Sequence, residues 1–179
     1  LLAKGDIHDS EVEFFSVRYD YLPFYKGKVD LWPVYRNSQG ITIAEKLRDA
    51  GEKTGYFDPS EFGVRFVANS IVTSEDMLKD HPVIVEKFIY ALVSAWEASL
   101  SPENKEKSLK MIGKYDRDTP PELIEAQLDA TRRLVKPFIH TKIGAIDTAA
   151  WKQTEKIMLN QQLISKPVRV EKAFREYIK

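Results

Sequence analysis

The 179 residues suffice to bury one substantial core or two small ones, and 43% hydrophobic against 30% charged residues is an ordinary globular balance. Lysine plus arginine and aspartate plus glutamate both number 27, so net charge offers no footprint for nucleic acid or an anionic membrane. The absence of cysteine excludes disulfides, thiolate metal sites and a thiol nucleophile, and suits an oxidising compartment.

No apolar run approaches the roughly 20 residues that a membrane span needs. Leu1 is not a natural start and no leader peptide precedes it, so the chain is expected to continue upstream. His8, His81 and His140 stand apart without metal-ligand spacing and read as structural or solvent-exposed. Residues 1–73 mix strands, turns and short helices, whereas 74–179 read almost wholly as helix.

In chain order, Val12–Val17 is short, β-branched and aromatic, which predicts a strand. Tyr21–Lys26 suits a short helix, with Asp20 placed to cap it and Gly27 to stop it. Val29–Tyr35 reads as a second strand, at an edge or bent because of Pro33. Ile41–Ala50 is a helix ended by Gly51, and Phe62–Val72 is an extended apolar segment. Strand, helix, strand, helix, strand is the order of a parallel α/β layer.

Ser74 opens a short helix ending near His81, and Pro82 is well placed as the first residue of the next. Val85, Phe88, Ile89, Leu92, Val93, Trp96 and Leu100 then form one apolar stripe, expected to face a core, as is the stripe holding Trp151. Ser101-Pro102 begins a helix reaching about Lys114. Thr119 to Glu122 has capping-box spacing before a helix that Pro137 ends. Asp147 or Thr148 caps a helix to about Gln162, and Val170–Ile178 closes the chain as a short one.

Ligands of open α/β sheets bind beyond the carboxyl ends of the strands. That rule selects Arg18, Tyr19 and Asp20 after the first strand, and Tyr35, Arg36 and Asn37 after the second. Tyr19, Asp20, Tyr35 and Asn37 could stack a flat heterocycle and hydrogen-bond its edge. Asp20 equally suits a plain helix cap, and Arg36 a solvated surface charge. No Ser–His–Asp order, carboxylate pair or phosphate-cradling glycine loop is visible, so neither catalysis nor a cofactor is expected.

The stretch YDYLPFYKGKVDLWPVYRNSQG (Tyr19–Gly40) resembles the helix–turn–strand that brings the chain to the ligand in type II solute-binding proteins related to thiamin-pyrimidine synthase. Phe62–Leu100 is similar to that family's hinge strand and following helix, with Pro82, Val85, Phe88 and Ala91 on its P-x-x-V-x-x-F-x-x-A pattern. The DATRRLVKP and WKQTEKIMLNQQLISKPV stretches also look like the family, so the resemblance covers nearly the whole chain. Two departures stand out. Asn37-Ser38-Gln39 replaces the Asn-Glu-Pro common in pyrimidine- and flavin-binding relatives, and the enzymatic branch's cysteine motif is missing.

The resemblance implies an α/β fold of the periplasmic-binding-protein type II class, a two-lobed clamp of which this chain is part, with a helix-rich C-terminal half. On that scheme 1–61 belong to the second lobe, 62–73 to a hinge-crossing strand, and 74–179 to the helical remainder of the first lobe and the terminal helices. The implied function is the solute-binding component of an ABC importer, without catalysis, its partners a small molecule and a membrane permease and no nucleic acid. Relatives bind thiamin pyrimidine precursors, riboflavin, sulfonates or nitrate. The implied location is periplasmic or extracellular, free or anchored as a lipoprotein. The alternative is a ligand-sensing domain of a membrane signalling protein, and a thiamin-pyrimidine biosynthetic enzyme ranks last.

Overall fold

The computed structural model describes residues 1–16, 18, 20–67 and 69–177. Its α-helices are α1 (Leu22–Tyr25), α2 (Gln39–Asp49), α3 (Glu75–Asp80), α4 (Pro82–Leu100), α5 (Lys105–Tyr115), α6 (Pro121–Val135), α7 (Thr148–Asn160) and α8 (Val170–Ala173). Short 3-10 turns sit at Leu2–Lys4, Asp9–Glu11, Pro59–Phe62 and Pro102–Asn104. No described helix is long and apolar enough to cross a membrane.

The helix ends follow the local chemistry expected of them. Ser74 Oγ accepts the Met77 N–H at 3.1 Å, and Asp147 Oδ1 accepts that of Ala150 at 2.9 Å, each taking up a donor that the first turn leaves orphaned. Gly27 after α1 and Gly51 after α2 hold φ of 61° and 80°, a left-handed conformation that a Cβ would strain. Pro82 opens α4 directly after His81, which also ends α3, so one residue makes the bend between the two helices. Helix α8 is shorter than expected: Phe174 leaves it extended, at φ −136° and ψ 158°. The Phe174 ring then lies 5.7 Å from Trp151, which binds α8 to α7 together with the Lys152–Glu171 ion pair at 3.3 Å.

Val12–Val17, Val29–Tyr35 and Phe62–Val72 form no ladder among the described residues, and Phe62 itself ends the 3-10 turn. A strand is stable only when a neighbour takes its backbone hydrogen bonds. In the second and third segments side chains take some of them instead. Tyr35 N–H donates to Gln39 Oε1 at 3.3 Å, Arg65 N–H to Gln153 Oε1, and Val67 N–H to Thr154 Oγ1 at 2.8 Å.

Two compact units share the chain, and each is made from two separated segments. The first takes Leu1–Gly63 and Leu109–Leu134, and its most buried apolar residues are Ile43, Leu47, Ile124, Leu128 and Ala130. The second takes Val64–Ser108 and Val135–Lys179 and buries Val85, Leu100, Ile143, Ala150 and Val170.

The stripe expected to face a core along α4 is fully buried at its ends alone, with Ile89, Leu92 and Val93 half-buried between them. Val85 and Leu100 are 8% and 3% exposed, but Phe88 is 55% and Trp96 40% exposed. The reason is where the neighbours lie: α3 packs against α4, as does the Pro102–Asn104 turn that follows it, so support comes from segments adjacent in sequence. Phe14, Leu31, Phe66 and Val72, all outside helices, are likewise exposed.

Leu128→Ala and Leu100→Ala should each lower stability by about 2–4 kcal/mol, because each removes a nearly buried side chain and leaves a cavity. Phe88→Ala should cost less than either, since its ring already meets water. Denaturant titrations of the three variants measure the ranking, and an equal or larger loss for Phe88→Ala would show that α4 is covered where the structure leaves it open.

Candidate functional site

The entrance to α2 is held by several hydrogen bonds and one close glycine contact. Tyr35 C=O accepts the N–H groups of Ser38 and Gly40, both at 3.1 Å, while Gln39 Oε1 receives Tyr35 N–H and the Ser38 hydroxyl, the latter at 2.7 Å. Gly40 is buried, and a Cβ there would meet Tyr35 O at 3.3 Å and both Tyr56 Cε1 and Val34 Cγ2 at 3.4 Å. The Tyr56 hydroxyl donates to the Gly40 carbonyl. A glycine in the first turn of a helix is costly in propensity, and here it admits the Tyr56 ring and the Tyr35 carbonyl.

Two more contacts hold this entrance in place. Asn37 Nδ2 donates to Thr131 Oγ1 on α6 at 2.9 Å, joining residues 94 positions apart. Asp58 accepts the Ser60 N–H at 2.8 Å, which opens the Pro59–Phe62 turn two residues after Tyr56. That bond, with help from the Ser60 hydroxyl and the Arg36 charge, holds the Asp58 carboxyl below its ordinary value. Burial pushes the Tyr56 phenol up, against the opposing pull of Arg36.

The expected ligand residues are distributed as follows. Tyr35 is 56% exposed at its side chain while its backbone N–H and C=O are both engaged. Asn37 is half-buried and tied to Thr131 through its amide nitrogen. Asp20 Oδ1 accepts the Leu22 N–H at 3.0 Å, so it does act at the start of α1. Tyr19 lies outside the described residues. Trp32 packs 5.4 Å from Tyr21 and 6.3 Å from Phe24, which brings the 29–35 segment against α1. Among the described residues no hydrogen bond or ring contact joins Asp20 to Tyr35 or Asn37.

Sequence reasoning passed over Gly40, Tyr56 and Thr131. A glycine just ahead of the predicted Ile41–Ala50 helix was a usable signal for the first. Nothing local marks Tyr56 or Thr131, whose parts depend on partners 16 and 94 residues away. Among the described residues no group of His, Asp or Glu could hold a metal ion. An exposed ring on a fixed backbone beside an anchored amide can stack and hydrogen-bond a flat solute.

Residues 1–105 match the family model described as NMT1/THI5 like. The match takes in α1 to α4 and all four expected ligand residues, and it ends at the first residue of α5. No curated protein and no solved structure matches the chain.

Tyr56→Phe should lower stability by about 0.5–1.5 kcal/mol, the net worth of a hydrogen bond to a part-buried carbonyl. Asp58 should make folding sensitive to acid. Its carboxyl is depressed in the folded chain, so its contribution is present above the ordinary carboxylate value of 3.8 and lost as pH falls through the folded value. Melts of the wild type and Asp58→Ala at neutral pH and in acid measure this: the gap between them should shrink on acidification. A constant gap would mean that charge on Asp58 is irrelevant to the turn.

Proposed function

The chain belongs to the NMT1/THI5-like family, whose members include substrate-binding proteins of ABC transporters and thiamin pyrimidine synthase, and we propose that it is the solute-binding component of an ABC-type importer. Substrate-binding members bind small molecules and work with transporters. The observation that carries the reading is Tyr35. Its ring is open to solvent, yet the backbone beneath it is held at both its N–H and its C=O. An aromatic surface fixed in this way loses little conformational freedom when a flat solute stacks on it.

The solute favoured by this arrangement is a planar heterocycle of pyrimidine type with polar edges. Tyr35 supplies the stacking face. Asn37 Nδ2 is committed to Thr131, which leaves its carbonyl oxygen as the acceptor for a ligand donor. Asp20 uses Oδ1 on the Leu22 N–H and offers its other oxygen, and Tyr19 precedes it in the chain. None of these roles involves a bond being made or broken, so the protein binds without turning its ligand over. The cysteine-free composition accords with a periplasmic or extracellular location, where a membrane permease would receive the solute.

Native mass spectrometry of the purified chain would identify a retained solute, and calorimetric titration of that solute tests the site. Asp20→Asn preserves an acceptor for Leu22 N–H but removes the charge. It should weaken binding roughly 10- to 100-fold, the loss of about 1.5–3 kcal/mol for a hydrogen bond to a charged group. Tyr35→Ala should weaken it roughly tenfold through lost stacking. Both melts should stay near wild type. Unchanged affinity in both variants would move the site elsewhere, and steady conversion of the solute by the protein alone would overturn the non-enzymatic reading.

A further inference from the structure

Neutral overall charge conceals one local excess. From Ala130 to Ile146 the sequence contains no Asp or Glu but carries Arg132, Arg133, Lys136 and Lys142. In the middle of this stretch, beyond the end of α6, the chain of the second unit makes a turn at Pro137–Lys142. Phe138 is 65% exposed and Ile139 94% exposed at its tip. Phe14–Phe15 and Ile71–Val72 are also adjacent and exposed, but neither is bracketed by lysines as this pair is by Lys136 and Lys142.

The tip is built rather than slack. Phe138 N–H donates to Thr141 Oγ1 at 3.2 Å, and Thr141 N–H returns a bond to Phe138 C=O at 3.0 Å, closing the turn on itself. The Phe138 and His140 rings stack at 5.7 Å with planes 6° apart, so the phenyl ring is held by its neighbour in the turn. Ile143, 7% exposed, anchors the C-terminal side in the second unit. Lys136 precedes the tip and Lys142 follows it, the latter exposed.

We propose that the Pro137–Lys142 turn is a membrane-contact tip that inserts Phe138 and Ile139 into an anionic lipid surface, with Lys136 and Lys142 at the headgroup phosphates. Two apolar side chains on a turn are too small to form the core of a standard protein interface. They suit an interfacial lipid layer, which accepts isolated apolar tips and attracts flanking cations. The balancing acids elsewhere in the chain matter little when they lie beyond a Debye length of about 10 Å.

The chain contains no cysteine, so Ile139→Cys gives a single site for an environment-sensitive fluorophore on the full 179-residue protein. Adding vesicles of phosphatidylcholine mixed with phosphatidylglycerol should blue-shift the probe, and pure phosphatidylcholine vesicles should shift it much less. Raised salt should reverse the shift. In sedimentation with the mixed vesicles, unlabelled Lys136→Glu/Lys142→Glu should bind about tenfold more weakly or worse. Phe138→Ser/Ile139→Ser should lose about as much, and both variants should melt as the wild type does. No probe shift on the mixed vesicles overturns the proposal. So does vesicle binding that both double variants retain, or a shift produced by an acidic protein and not by lipid.

Discussion

Side-chain oxygens that accept backbone N–H groups recur throughout this chain and fix its turns and helix starts. Asp20, Gln39, Asp58, Ser74 and Asp147 each take an N–H within four residues, and Asp116 takes those of both Asp118 and Thr119. Helix α7 extends the same chemistry across the chain: Gln153 and Thr154 receive Arg65 and Val67, and Glu155 receives Val168 at 2.6 Å. A backbone donor left without partner costs about as much as a lost hydrogen bond, so segments without a ladder go where acceptors are offered. Among the described residues no large side chain falls below 2% exposure, and these polar contacts act beside the small cores.

Helix α7 shows how one element can serve as such a scaffold. Asp147 caps its first turn and also pairs with the Arg65 guanidinium. Thr154 passes a hydrogen bond on to the Ala150 carbonyl at 2.8 Å while accepting from Val67. Trp151 and Lys152 hold α8 from the same helix. The 64–67 segment is thereby fixed to the second unit although it pairs with no strand.

The α2 entrance applies the same economy to the first unit. Gly40 admits the Tyr56 ring, Gln39 ties down Tyr35, and Asn37 reaches Thr131, so the exposed Tyr35 ring stands on a fixed backbone. Membership of the NMT1/THI5-like family and this local geometry are independent supports for solute binding, since one rests on the pattern over residues 1–105 and the other on contacts within the unit. The departure at Asn37-Ser38-Gln39 also finds a use here: Ser38 and Gln39 hold the turn itself.

Helix positions and ends were legible in the sequence because they depend on signals a few residues away. Ser74, Pro82, Asp147, Gly27 and Gly51 act on their own turns, and tertiary contacts leave those effects intact. Asp20 was ambiguous between cap and ligand contact; Tyr21 holds the cap position of α1, and Asp20 Oδ1 accepts the Leu22 N–H from one residue before it. What the sequence could not determine depends on partners remote along the chain. Whether Val12–Val17, Val29–Tyr35 and Phe62–Val72 pair as strands is decided by a neighbour, and composition records only their suitability for one. The period of the α4 stripe is real, but period says which residues share a face and not whether anything covers it, hence the open Phe88 and Trp96. Tyr56 beneath Gly40 and Thr131 beside Asn37 were decided by tertiary structure alone, because no local rule relates side chains 16 or 94 residues apart.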